Sequence, residues 1–163
     1  MTNFNIFIDS DGVLADFSGY CETHYGKLPE ALSGSEKAKF WSWVQRHNDT
    51  VEPFFESLPK MKGADELVAF CKENFAKVAV LTASGYTPKN GAEQKKRWYA
   101  RMFPGMQVIV VPKSSDKAAY ATPRTILVDD RAKSIDPWVA AGGIGILHTS
   151  VDDTIEQLRA FLT

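Results

Sequence analysis

Short apolar runs that stop at polar clusters recur along the chain and set its organisation. The first, Asn5-Ile6-Phe7-Ile8, drives into Asp9-Ser10-Asp11-Gly12. An apolar run of this length, ended by turn residues, predicts a buried strand. Four more follow: Lys77 to Leu81, ending at Thr82-Ala83-Ser84-Gly85; Gln107 to Val111, before Pro112-Lys113-Ser114-Ser115-Asp116-Lys117; Thr125 to Val128, ending in Asp129-Asp130-Arg131; and Ile144 to Leu147. Helical spacing fills the intervals at Gly63 to Cys71, Gly91 to Phe103, Asp136 to Ala141 and Asp152 to Leu162, the last opening on two aspartates that predict its cap. Ala118 to Tyr120 is only a short helix-like piece before Pro123.

Strands alternating with helices imply right-handed parallel crossovers. The predicted fold is therefore α/β: a doubly wound, Rossmann-like five-stranded parallel sheet with helices on both faces. One stretch breaks the alternation. Ser18 to Pro53 is mixed aromatic and charged, and Glu36 to Val44 within it has helical spacing, with Phe40, Trp41 and Val44 on one face. It predicts a small helical cap insertion, at about 18–53, in a single domain spanning 1–163. A parallel sheet gathers its strand tips on one edge, where such folds place their ligands. That edge collects Asp9, Asp11, Thr82, Ser84, Lys117, Asp129 and Asp130 into one crevice.

Composition adds mainly exclusions. The net charge of -1 gives no electrostatic capture of nucleic acid or an anionic membrane. Lys95-Lys96-Arg97 beside Trp98 reads as a solvated helix face with one buried tryptophan, not as a nucleic-acid patch. Cys21 and Cys71 lack zinc or CxxC spacing and read as reduced structural thiols, which points to the cytoplasm. No signal-peptide pattern and no membrane-spanning apolar stretch of about 20 residues is visible.

The candidate chemistry lies in the acids. Two carboxylates held together repel, so one must bind a proton or a cation. A hard, partly hydrated Mg²⁺ suits oxygen ligands of this kind. An acid pair, a hydroxyl, a lysine and a second acid pair fit phosphoryl transfer, with a carboxylate nucleophile and fixed donors for the phosphoryl oxygens. Acyl transfer has no Ser-His-Asp set to use, since His24, His47 and His148 fall away from the predicted strand tips, and no P-loop occurs.

Asp9-Ser10-Asp11-Gly12-Val13-Leu14, Leu81-Thr82, Lys117 and Val128-Asp129-Asp130 resemble, in order, the four motifs of the haloacid dehalogenase-like (HAD) phosphohydrolases. Within that superfamily the chain looks most like the 5'(3')-deoxyribonucleotidases, through Asp11 to Phe17, Phe40-Trp41, Phe54-Phe55, Asp116-Lys117 and Asp129-Asp130-Arg131. The resemblance implies a Mg²⁺-dependent phosphatase acting on a small phosphorylated metabolite, with a nucleoside or deoxynucleoside monophosphate as the leading substrate. A polynucleotide 3'-end or a sugar phosphate is the alternative, and a non-catalytic phosphate-binding module is the rival of another class.

By motif, Asp9 is implied as nucleophile and Asp11 as general acid/base. Thr82 and Lys117 would hold the phosphate, with Ala83 and Ser84 adding donors. Asp9, the backbone carbonyl of Asp11, and Asp130 in preference to Asp129 are the implied metal ligands. Phe17, Phe40 and Trp41 would form a base-stacking wall. Ser115 stands where the nucleotidases carry an arginine, and Lys113 is an alternative to Lys117.

Overall fold

Alternation along the first strand, β1 (Thr2–Ile8), shows how the layers are built. Successive side chains of a strand point to opposite faces. Ile6 and Ile8 pack on one side with Val80, Ile126 and Val128, while Phe7 packs on the other with Leu81, Leu127 and Trp138. Both faces of β1 are thus buried, as befits a central strand of a parallel sheet. The structure, a computed structural model, describes residues 1–162.

The other strands are β2 (Phe75–Ala83), β3 (Gln107–Val111), β4 (Thr125–Asp129) and β5 (Ile144–Leu147). Every pairing is parallel, and the order is β3-β2-β1-β4-β5. The chain winds outward from β1 through β2 to β3, then returns to the opposite side of β1 for β4 and β5. The switch point therefore lies between β1 and β4, where the crevice of such a sheet opens.

Helices α3 (Ala64–Asn74), α4 (Gly91–Met102) and α6 (Val151–Arg159) cover the Ile6 and Ile8 face, while α5 (Ala132–Ala140) covers the Phe7 face through Trp138. The doubly wound α/β architecture expected from the alternation is what is observed. The differences are local. α5 begins directly after Arg131 rather than at Asp136. α6 is capped by Ser150, whose Oγ accepts from Asp153 N at 3.1 Å, not by its leading aspartates.

Between β1 and α3 lie α1 (Phe17–Tyr25) and α2 (Gly34–Thr50). Asp16 caps α1, its Oδ1 accepting from Gly19 N at 3.0 Å. α2 runs one and a half turns beyond the Val44 expected from sequence, because Phe40, Val44 and His47 keep one buried face in phase. The wholly buried amide of Gln94 in α4 seats this insertion. Its Oε1 accepts from Phe55 N (2.8 Å), and its Nε2 donates to Asn48 Oδ1 (2.6 Å) and Asn90 Oδ1 (2.8 Å). Asn48 Oδ1 also accepts from Phe54 N at 3.0 Å. Cys21 and Cys71 are free and buried, and burial pushes both thiols up to about 12, so neither is a thiolate at neutral pH. Among the described residues no helix is long and apolar enough to cross a membrane.

Candidate active site

Register brings the acids together. Ile8 pairs with Val128, so the next residues, Asp9 and Asp129, emerge side by side at the switch point, and Asp9 N donates to Val128 O at 2.9 Å. The chain then turns sharply. The carbonyl of Ser10 accepts from Val13, Leu14 and Ala15 N, and Gly12 sits at φ +84°. Only glycine adopts that region without strain. A Cβ here would also lie 2.1 Å from Asp130 Oδ2, so the turn and the acid of the β4 tip are fitted to one another.

Asp9, Asp129 and Asp130 each offer one carboxylate oxygen, and these oxygens lie within 4.8 Å of one another. Burial raises Asp129 to about 6 and Asp130 to about 8, and neighbouring Asp9 adds to both shifts. Carboxylates that resist ionising together, with only oxygen atoms to offer, are the donor set of a hard divalent cation. The three fit Mg²⁺. The motifs favour Asp130 over Asp129 as ligand; here Asp129 is fully buried and Asp130 stands at the outer edge of the cluster, and both reach it.

Lys117 is 1% exposed, its Nζ donating to Asp9 Oδ1 (2.9 Å) and Asp129 Oδ2 (2.6 Å). Burial alone would lower its ammonium, but the two carboxylates more than offset this and the net direction is up. Lys113 is exposed, and its backbone N–H is held by Asp116 Oδ2 at 2.9 Å. Thr82 is also in the crevice, buried at the end of β2, with Ala83 beside it.

Asp11 faces α4. Its Oδ2 accepts from Lys95 Nζ at 2.7 Å, and its Oδ1 is buried without a hydrogen-bond partner. Burial raises its pKa and Asp9 adds to the rise, against the opposing effects of Lys95 and Lys117. Lys95 also donates to Thr82 Oγ1 at 3.1 Å.

Four expectations change. Lys95 is not solvated, being 2% exposed and inside the site. The signal was its phase: Gly91, Gln94, Lys95, Trp98 and Tyr99 share the buried face of α4. Ser84 has both donors engaged, its backbone N–H on Val111 O (2.9 Å) and its hydroxyl on Gly85 O (3.1 Å), so it leaves the set of phosphate donors. Phe40 is 1% exposed and lies in the core behind Phe17 and Trp41, so only Phe17 and the 39% exposed Trp41 present surface for a wall. His148 does stand at a strand tip, its N–H donating to Asp129 O (2.8 Å), but its ring is turned to Thr154 Oγ1 at 2.7 Å. His24 and His47 lie in the insertion around Tyr20.

The chain is similar to known proteins at the level of fold. No family model matches the chain, and no curated protein matches it. Solved structures do. A HAD-superfamily hydrolase from Ehrlichia chaffeensis superposes with a TM-score of 0.55 at 11% identity, covering 100% of both chains. An L-2-haloacid dehalogenase from Xanthobacter autotrophicus gives 0.56 at 13% identity, over 97% of this chain and 83% of its own. A HAD family hydrolase from Deinococcus radiodurans R1, with bound phosphate and sodium, gives 0.53 at 14% identity, over 96% and 88%. At such identities the likeness is one of fold.

Proposed function

We propose that this chain, built on the fold of the HAD hydrolases, is a Mg²⁺-dependent phosphomonoester hydrolase that works through an aspartyl-phosphate on Asp9. A nucleoside or deoxynucleoside monophosphate is the proposed substrate class. The observation that carries the reading is the convergence of Asp9, Asp129 and Asp130 around Lys117, with Asp11 and Thr82 alongside, at the switch point of the sheet.

Asp9, Asp129 and Asp130 would hold the cation. Bound there, Mg²⁺ would neutralise part of the negative charge on the transferring phosphoryl group. Lys117 holds Asp9 in place and supplies a fixed positive charge beside the reacting oxygens. A carboxylate oxygen of Asp9 attacks phosphorus, the ester P–O bond breaks, and its electron pair leaves on the alcohol oxygen, which takes a proton from Asp11. Water then attacks the acyl phosphate as Asp11 accepts its proton, releasing phosphate and restoring both acids. The net reaction is ester plus water to alcohol plus phosphate. Phe17 and Trp41, with Phe55 stacked 6.5 Å from Phe17, offer an aromatic shelf suited to a nucleobase.

A dehalogenase on the same fold would also use a carboxylate nucleophile. Halide leaves without a proton and without phosphoryl charge to neutralise, so its departure needs neither a general acid nor a cation held by three acids; only the later water step would call on a carboxylate base. The Deinococcus radiodurans hydrolase, with phosphate and sodium on this fold, supports the phosphoryl reading.

The test is release of inorganic phosphate from ribo- and deoxyribonucleotides, sugar phosphates and a 3'-phosphorylated oligonucleotide, with and without Mg²⁺. Chloride release from 2-chloropropionate and an Asp9→Asn variant run alongside. Metal-dependent phosphate release that vanishes in the variant is the expected result. Chloride release without phosphate release overturns the reading in favour of a dehalogenase, and release of neither favours a binding module.

A further inference from the structure

Lys95 is the one charged group in the site to which the reaction outlined above gives no part. It is carried by α4 and not by any strand, yet it is 2% exposed. Its ammonium donates to Asp11 Oδ2 at 2.7 Å and to Thr82 Oγ1 at 3.1 Å, and it stands 4.3 Å from the centroid of the Phe55 ring. The π face favours the cation without competing for Asp11. Burying an ammonium is costly, and apolar carbon of the same volume would fill this space at lower cost. Packing therefore does not account for it. What the ammonium does is tie down one oxygen of Asp11. The other, Oδ1, is buried without a partner, and Asp11 lines a narrow slot together with Ser10, Lys95 and Tyr99, the last one turn further along α4. Phe55, above Lys95, has its own N–H held by the adjacent Gln94.

We propose that Lys95 is a positioning residue for Asp11. By fixing Oδ2 it sets the rotamer and plane of the carboxyl group that serves the leaving oxygen, and Phe55 holds the ammonium in register for that task. The inference rests on the phosphohydrolase reading. It predicts an effect confined to the proton-requiring step. An alkyl phosphate must receive a proton as its P–O bond breaks, whereas 4-nitrophenolate leaves without one. The ratio kcat/KM covers events up to formation of the phospho-enzyme, so it isolates that difference.

The experiment compares kcat/KM for ethyl phosphate and 4-nitrophenyl phosphate, in Mg²⁺, for the wild type, Lys95→Met, Phe55→Leu and Asp11→Asn. Lys95→Met should lose at least tenfold more on ethyl phosphate than on the nitrophenyl ester, as Asp11→Asn does, and Phe55→Leu should show the same bias to a smaller degree. Added to Asp11→Asn, Lys95→Met should change the ratio between esters no further. Equal losses on both esters, or a gain on ethyl phosphate, overturn the role of Lys95. A wild type that releases phosphate from neither ester and from none of the nucleotides, sugar phosphates or the 3'-phosphorylated oligonucleotide overturns the phosphohydrolase reading itself. Should Lys95→Met fail to fold by circular dichroism, Phe55→Leu decides: a biased loss supports the proposal and an even loss overturns it.

Discussion

Lys117 Nζ lies 2.6 Å from Asp129 Oδ2, with the lysine 1% and the aspartate 0% exposed. Asp9 shares the same ammonium at 2.9 Å, and Asp130 completes the acid cluster, so one cation faces three carboxyl groups. The pair inside the protein is thus part of an arrangement short of positive charge.

Lys117→Met should be severely destabilising. It strips a buried pair of one partner and leaves Asp129 unpaired, a change that costs about 3–5 kcal/mol. Urea unfolding should show it as a lower midpoint with an unchanged slope. Adding Asp129→Leu should recover part of the loss, since the orphaned carboxyl group is then gone.

Stability should depend on pH and Mg²⁺ together. Asp129 and Asp130 are raised in the folded state, to about 6 and about 8, from the ordinary 3.8. Between about pH 4 and pH 8 the folded protein therefore holds more protons than the unfolded chain, and stability falls as pH rises through that window. His47 and His148 are lowered by burial and act in the opposite direction, but only below their ordinary 6.5. The slope between pH 7 and 8.5 then belongs mainly to Asp130, with Asp11 and, towards the upper end, the two buried thiols acting in the same direction. Thermal melts should show the midpoint falling over this interval, and Asp130→Asn should flatten it. Mg²⁺ competes with protons for the same oxygens, so it should raise the midpoint more at pH 8 than at pH 5.

Gly12→Ala tests the fit between the turn and the acid cluster. A left-handed backbone costs a non-glycine residue about 1–2 kcal/mol, and the added Cβ would meet Asp130 Oδ2 at 2.1 Å. The variant should fold with modestly reduced stability but bind Mg²⁺ much more weakly. Calorimetric titration against the wild type measures both.

Adjacent aromatics in α2 should behave differently. Phe40, at 1% exposure, packs edge-on against Phe17, Tyr25 and Trp41, and Phe40→Ala should cost about 3–5 kcal/mol. Trp41 is 39% exposed, so Trp41→Ala should leave the melting temperature nearly unchanged and raise KM for nucleotides more than for 4-nitrophenyl phosphate.

The fold was legible because burial on both faces wrote each strand as an apolar run, and because each of β1, β2 and β4 stopped at its chemistry. Asp9 beside Asp129 follows from parallel strands and a switch point. Lys95 was hidden for a physical reason. It stands in a run of three cations, and a run carries no information about which member turns inward. Only the phase shared with Gln94, Trp98 and Tyr99 distinguishes it. Phe40 misled in the opposite sense: an aromatic beside Trp41 has the chemistry of a base-stacking wall, but the helix turns it about 100° away, into the core. Ser84 was lost to hydrogen bonding that sequence does not display.

The seat under the helical insertion has a consequence of its own. Its interior is a knot of neutral amides, Gln94, Asn48 and Asn90, closed on the backbone of Phe54 and Phe55. None of these groups gains or loses a proton between mild acid and mild alkali, and none carries a charge for salt to screen. The Arg97–Glu56 pair at the rim, 2.9 Å apart with the arginine 54% exposed, is the part that electrolytes reach. The molecule thus separates two kinds of sensitivity: a roof anchored independently of ionic conditions stands over a floor of acids and lysines that answers to every change in them.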